Sequence, residues 1–125
     1  MTDKQQQSEY TMYHKPNCYT SLMVLKALKE LGIKPQLRLY LEDVPTTKEL
    51  ADVLKKLGLP VSALIRTKEP IYKENYADKK LTKTQWLKVL HQNPILINRP
   101  ILIKGDKAAF AKKGDDMQEV LKSIN

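Results

Sequence analysis

Apolar and polar positions alternate over Tyr10-Thr11-Met12-Tyr13, the pattern of a short strand with one buried face. Lys15-Pro16-Asn17 breaks the alternation as a turn. From Cys18 the spacing changes. Leu22, Leu25, Leu28 and Leu31 recur every third residue, Val24 joins their face, and Lys26, Lys29 and Glu30 take the opposite one. With Gly32 as its stop, this predicts a helix that begins at Cys18. Gln36-Leu37-Arg38-Leu39-Tyr40-Leu41 alternates again and predicts a second strand, entered through Lys34-Pro35. Two strands joined through a helix cross over right-handedly and pair in parallel.

Thr46 or Thr47 caps a second helix, with Glu49 in its first turn, Leu50, Val53, Leu54 and Leu57 as its apolar stripe, and Gly58 at its end. Residues 60–96 hold short helical stretches, among them Val61–Arg66 and a clearer one over Thr82–His91 with Trp86, Leu87, Val89 and Leu90 inward. Ile101-Leu102-Ile103 predicts a buried strand, Gly105-Asp106 a hairpin turn, and Lys107–Ala111 the returning strand. A terminal helix over Asp115–Ile124 turns Met117, Val120, Leu121 and Ile124 inward. The order is β-α-β, a helical block, then β-β-α. It predicts an α/β protein of one domain over residues 10–125, with a helical insertion at about 46–96.

The chain has 125 residues, 42% of them hydrophobic, enough for one compact core. No apolar run approaches the roughly 18 residues of a membrane span. Residues 1–9 are polar, include Gln5-Gln6-Gln7 and lack the apolar stretch of a secretory signal, so they are expected to be a disordered leader. The expected compartment is the cytoplasm. Net charge is +8, which raises the question of nucleic acid. The lysines are dispersed, however, and cluster only in pairs such as Lys55-Lys56, Lys79-Lys80 and Lys112-Lys113. Such a field suits small anions better than a polynucleotide. Monomer is the default expectation.

Cys18 is the single cysteine, so an internal disulfide is excluded. Two histidines and one cysteine, widely spaced, do not make a metal-ligand set. What remains is a buried structural thiol or a reactive one. At a helix start, unpaired backbone N–H groups and the positive end of the helix dipole favour thiolate over thiol. The same N–H groups form an anion cradle. Thr20 and Ser21 bring hydroxyl donors to the first turn, and His14, at the end of the first strand, is positioned to support a negative sulfur.

Four segments in order resemble the glutaredoxin-linked arsenate reductase (ArsC-like) family. Tyr13-His14-Lys15-Pro16-Asn17-Cys18-Tyr19-Thr20-Ser21 is similar to its active-site run Y-H-N-P-x-C-x-T-S, and Leu39–Pro45 to its L-Y-L-E-x-x-P. Val61–Arg66 resembles the segment that ends in an oxyanion-binding arginine, and His91–Ile101 resembles H-P-x-L-I-N-R-P-I. The resemblance implies a thioredoxin-like fold with a mixed four-stranded sheet. It implies that Cys18 attacks arsenate to form a covalent adduct, that Arg66 and Arg99 hold the oxyanion, and that His14 helps keep the thiolate. Pro100 matches the family's cis-proline beside the active cysteine. No bound cofactor is implied. Glutathione is the implied co-substrate that attacks the adduct, and glutaredoxin the partner that releases the reduced product. Each assignment has a plainer rival: Arg66 as a helix-end cation, Arg99 as a surface cation at a strand start, His14 as a strand-end imidazole bonded to backbone.

The chain also departs from the family pattern. A third family arginine falls where this sequence has Lys112 and Lys113, so only the charge, without the planar fork, is available there. Tyr19 replaces a glycine beside the nucleophile, where its bulk is expected to narrow the pocket, and Leu22 replaces an arginine. Position 21 is serine, so there is no Cys-x-x-Cys pair, and an oxidised Cys18 needs an external thiol. Two further readings stay open on this sequence: a glutathione-dependent thiol–disulfide oxidoreductase without arsenate activity, and a regulator resembling the Spx-like proteins that bind RNA polymerase.

Overall fold

The computed structural model describes residues 9–112 and 114–125. The expected leader lies outside them except for Glu9, which pairs with Lys104 at 3.5 Å. The elements in chain order are β1 (Thr11–Tyr13), α1 (Tyr19–Glu30), β2 (Gln36–Arg38), α2 (Thr47–Leu57), α3 (Pro70–Asn75), α4 (Lys83–Gln92), β3 (Ile101–Lys104), β4 (Lys107–Phe110) and α5 (Met117–Ser123). Short 3₁₀ turns occupy Val61–Leu64 and Pro94–Leu96. The chain condenses into two compact units, one of residues 9–43 with 99–125 and one of residues 44–98.

The first unit carries the mixed four-stranded sheet of the α/β fold, in the order β2-β1-β3-β4. β1 and β2 pair in parallel, as the crossover rule requires, with Met12 opposite Leu37. β3 runs antiparallel to β1, with Tyr13 opposite Ile101, and β4 returns antiparallel to β3. Gly105 makes that hairpin at φ 59°, a left-handed conformation that suits glycine. The two central strands bury Met12 and Leu102 completely, against Val24 and Leu28 of α1 and Met117, Leu121 and Ile124 around α5. Val120, expected inward, is only partly buried.

Two elements differ from their sequence pattern. β2 ends at Arg38 because the chain turns, with the Glu42 and Asp43 amides donating to the Leu39 carbonyl at 2.9 and 2.8 Å. The turn carries Tyr40 into the interior, stacked on Tyr13 at 6.1 Å. In α1 the inward stripe is Ser21, Val24 and Leu28, while Leu22 and Leu31 are 45% and 41% exposed. A three-residue repeat falls about 60° short of a full turn at each step, since a helix has about 3.6 residues per turn. From Leu22 to Leu31 it therefore drifts across to the opposite face.

Residues 44–98 are helical. Thr46 caps α2 through a reciprocal pair with Glu49, and Thr82 caps α4 through the same device with Gln85. α2 stops at Gly58, left-handed at φ 67°. α2 and α4 pack on each other, burying Leu50, Val53, Leu54, Leu87 and Leu90. Trp86 stacks on Tyr72 of α3 and meets Tyr76 at its end. Ile65 and Ile97 form an isolated antiparallel bridge.

Candidate active site

The register of β1 and β3 puts the turn after Tyr13 and the segment before Ile101 at the same end of the sheet. The first contributes Cys18, the second Arg99 and Pro100. The Arg99–Pro100 peptide bond is cis, and Pro100 is buried.

The turn is fastened at both ends. The Cys18 amide donates to the Lys15 carbonyl at 3.0 Å, and the Lys15 amide donates to Ser21 Oγ at 3.3 Å. Cys18 itself is extended (φ −102°, ψ 121°) and stands at the N-cap of α1, where its carbonyl accepts the first helical bond from Leu22 at 2.9 Å. The position suits a residue whose side chain looks back over the helix's free N–H groups. Cys18 makes no ordinary capping hydrogen bond as a thiol; what its surroundings favour is the charged form.

Partial burial pushes the Cys18 thiol up and is the largest single influence on it. Against burial stand the Ser21 amide N–H, then the Arg99 guanidinium acting by hydrogen bond and by charge, then the Thr20 amide N–H. Together they outweigh it and hold the thiol below its ordinary range. Cys18 is half-buried. Two helix-start amides and a guanidinium all favour a negative sulfur at Cys18. This set can deliver a nucleophile to a small oxyanion and neutralise the charge that builds as it attacks.

The other sequence-predicted residues divide. Ser21 belongs to the site, but through its backbone: its amide faces the sulfur, while its fully buried side-chain oxygen accepts the Lys15 amide. The hydroxyl therefore braces the turn. His14 is 4% exposed, and its Nδ1 has no hydrogen-bond partner among the described residues. Burial, and then the charge of Lys29, lower its pKa, so the imidazole is neutral near pH 7. His14 is not among the groups that act on the Cys18 charge, and a neutral ring brings no cation to it. Any support His14 gives the thiolate therefore comes from a neutral ring.

Lys112 is exposed, with its amide bonded to Asp115 at 2.9 Å, and it too is not among the groups acting on Cys18. Lys113 lies outside the described residues. Tyr19 is 60% exposed rather than packed into a pocket. Within residues 44–98, Arg66 Nε donates to Glu69 Oε2 at 2.7 Å. The segment leading to Arg66 is held by Asn98, whose Nδ2 donates to the Ala63 and Ile65 carbonyls at 2.9 and 3.1 Å. Sequence reasoning missed Asn98 as a brace; its place between an apolar run and Arg99-Pro100 was the available signal.

Concavity alone does not find this site. A cavity of about 1000 Å³ within residues 44–98 is lined by Ala51, Leu54, Leu59 and Val61 with Lys48 and Lys83 among its polar margin, and it holds no nucleophile. Among the described residues no group of three or more His, Cys, Asp or Glu is placed to hold a metal ion, and no helix is long and apolar enough to cross a membrane.

Comparison with known proteins bears on the same residues. The sequence model of the ArsC family matches residues 13–120. An arsenate reductase of Haemophilus influenzae is 36% identical over 112 residues, covering 88% of this chain and 97% of that one. An arsenate reductase of Escherichia coli K12 is 34% identical over 115 residues, covering 91% and 82%. The solved structure of an arsenate reductase from Vibrio cholerae superposes with a TM-score of 0.82 at 35% identity, covering 92% of this chain and 97% of that one.

Proposed function

Because the chain belongs to the ArsC family, we propose that it is an arsenate reductase whose nucleophile is Cys18. The observation that carries this reading is that the Arg99 guanidinium and the Ser21 and Thr20 amides hold the Cys18 thiol below its ordinary range.

In the proposed cycle the Cys18 thiolate attacks pentavalent arsenic, and one arsenate oxygen leaves as water after protonation. Glutathione displaces a second oxygen as water, leaving arsenic bonded to both sulfurs. The thiolate of glutaredoxin then attacks the glutathione sulfur. The electron pair of the arsenic–sulfur bond stays on arsenic, which falls to the trivalent state, and the two sulfurs form a disulfide. Water cleaves the remaining bond, releasing arsenite and Cys18. The lone cysteine requires this external route. Arg99 grips the oxyanion with its planar fork, Arg66 supplies a second guanidinium, and Pro100 borders the site. The enzyme acts in the cytoplasm as a monomer without a bound cofactor.

A second reading, glutathione-linked thiol–disulfide exchange without arsenate, is favoured by one observation: Arg66 is committed to Glu69 and Lys112 is exposed, which leaves Arg99 as the guanidinium acting on Cys18. A coupled assay with arsenate, glutathione, glutaredoxin and NADPH-dependent recycling separates the two. Arsenate-dependent NADPH loss that disappears in Cys18→Ser supports the first reading. Turnover of a disulfide substrate alone supports the second.

A further inference from the structure

From the groove along α2 we infer a binding site for a small amphiphilic anion. Its occupant is a single apolar chain with a carboxylate head, the chemistry of a medium-chain fatty acid. The inference is independent of what Cys18 reacts with.

One face of α2 and the chain that follows it build the groove. Leu50 and Val53 are buried, so Lys48, Ala51, Lys55 and Gly58, at i, i+3, i+7 and i+10, share an outer face. Ala51 and Gly58 are small and leave a hollow between the long lysines. A Cβ added at Gly58 would meet nothing within 4 Å, so the hollow stays open past the helix end. The left-handed turn at Gly58 sends Leu59 into solvent, 45% exposed, and Pro60 and Val61 continue the apolar wall. Lys83, at the start of α4, completes the rim. The volume of about 1000 Å³ is that of a roomy small-molecule site.

The lining decides what kind of molecule fits. Its two carboxylates are already held, Glu49 by the Thr46 amide at 2.9 Å and Asp52 by Lys56 at 3.1 Å. Among the described residues no carboxylate pairs with Lys48, Lys55 or Lys83. Three ammonium groups around an apolar hollow favour a negative charge on an apolar body. The described residues of the lining include no aromatic, hydroxyl or amide side chain. A nucleotide base therefore finds no ring to stack on, and a sugar finds no hydroxyl or amide to read it. An acyl chain needs neither.

The test titrates the full chain with decanoate below its micelle concentration, near neutral pH, and with decanol as the uncharged analogue. Calorimetry should show one saturable site that binds decanoate more tightly than decanol. Amide NMR shifts should cluster on Ala51, Leu59 and Val61. Leu59→Asp, at an exposed position, should weaken decanol about tenfold and decanoate at least as much. Lys48→Gln/Lys55→Gln/Lys83→Gln should weaken decanoate about three- to tenfold and leave decanol unchanged. Cys18 alkylation should keep its wild-type rate in both variants, which checks that they fold. The inference is overturned by the absence of saturable decanoate binding, by shifts centred on Arg99 instead of α2, or by a lysine variant that loses both ligands equally. A dimer that Leu59→Asp splits would put a second copy in the groove, and capture by phosphatidylcholine vesicles without binding of monomeric decanoate would put a bilayer there. Either result overturns it as well.

Discussion

The guanidinium of Arg99, at the entrance to β3, favours the charged form of Cys18, at the start of α1. Strand pairing brings these chain-distant residues together: Tyr13 lies opposite Ile101, and each site residue sits just beyond one of them. The charge of Arg99 favours the thiolate, so removing it must raise the pH at which Cys18 ionises. In Arg99→Ala the iodoacetamide rate profile should shift to higher pH. Arg99→Lys, which keeps charge and loses the fork, should fall between that profile and wild type. Turnover should suffer more than alkylation, with kcat/KM for arsenate lower by about 10²-fold in Arg99→Ala, the loss typical of an oxyanion donor. Equal loss in both measurements would point to a folding role for Arg99.

Ser21 makes a different prediction. Its side-chain oxygen accepts the Lys15 amide in a buried turn, while its own amide faces the sulfur. Ser21→Ala removes the first contact and keeps the second. It strands an N–H, which should cost about 1–3 kcal/mol in urea unfolding. The alkylation midpoint should move less than in Arg99→Ala. A larger shift in Ser21→Ala would mean that the hydroxyl, and not the amide, sets the thiolate.

These two residues show what a sequence can carry. Local physics was readable: the helix after Cys18, the Thr46 cap with Glu49, the glycine stop at Gly58 and the Gly105 hairpin all follow from short-range rules. The parallel pairing of β1 and β2 followed from chain handedness alone. The Arg99–Cys18 contact was reachable only through family resemblance, because no spacing rule links β1 to β3. Periodicity also misassigned the inner face of α1, since an every-third-residue leucine pattern drifts around a helix. The neutrality of His14 was not legible either, because it depends on the depth of burial and on Lys29.

His14 links burial to pH. Its pKa is lowered by burial and then by Lys29, so the folded protein resists a proton that the unfolded chain accepts. Below about pH 6.5, the ordinary imidazole value, the unfolded state binds more protons and stability falls with falling pH; above it this contribution is fully present. Urea unfolding across this range should show the slope in the wild type. In His14→Asn the slope should flatten, and in Lys29→Gln it should weaken. A slope unchanged in His14→Asn assigns it to other groups.

Arg66 offers the sharpest test of the proposed oxyanion site, because its guanidinium already has a partner. Nε is bound to Glu69 at 2.7 Å, with side chains 33% and 20% exposed. A carboxylate there has two opposite effects: it orients the guanidinium, and its charge repels an arriving anion. If Arg66 binds arsenate, repulsion governs affinity, and Glu69→Gln keeps a hydrogen-bond acceptor while deleting the charge. KM for arsenate should then fall about two- to fivefold with kcat unchanged, the range set by a partly exposed ion pair. Arg66→Ala should raise KM, and Arg66→Ala/Glu69→Gln should match Arg66→Ala, because Glu69 acts on the anion through Arg66. If Arg66 only ties down its own segment, Glu69→Gln lowers the unfolding midpoint and leaves KM where it was. The double variant separates the cases, since additive effects on KM would show Glu69 repelling the anion independently of Arg66.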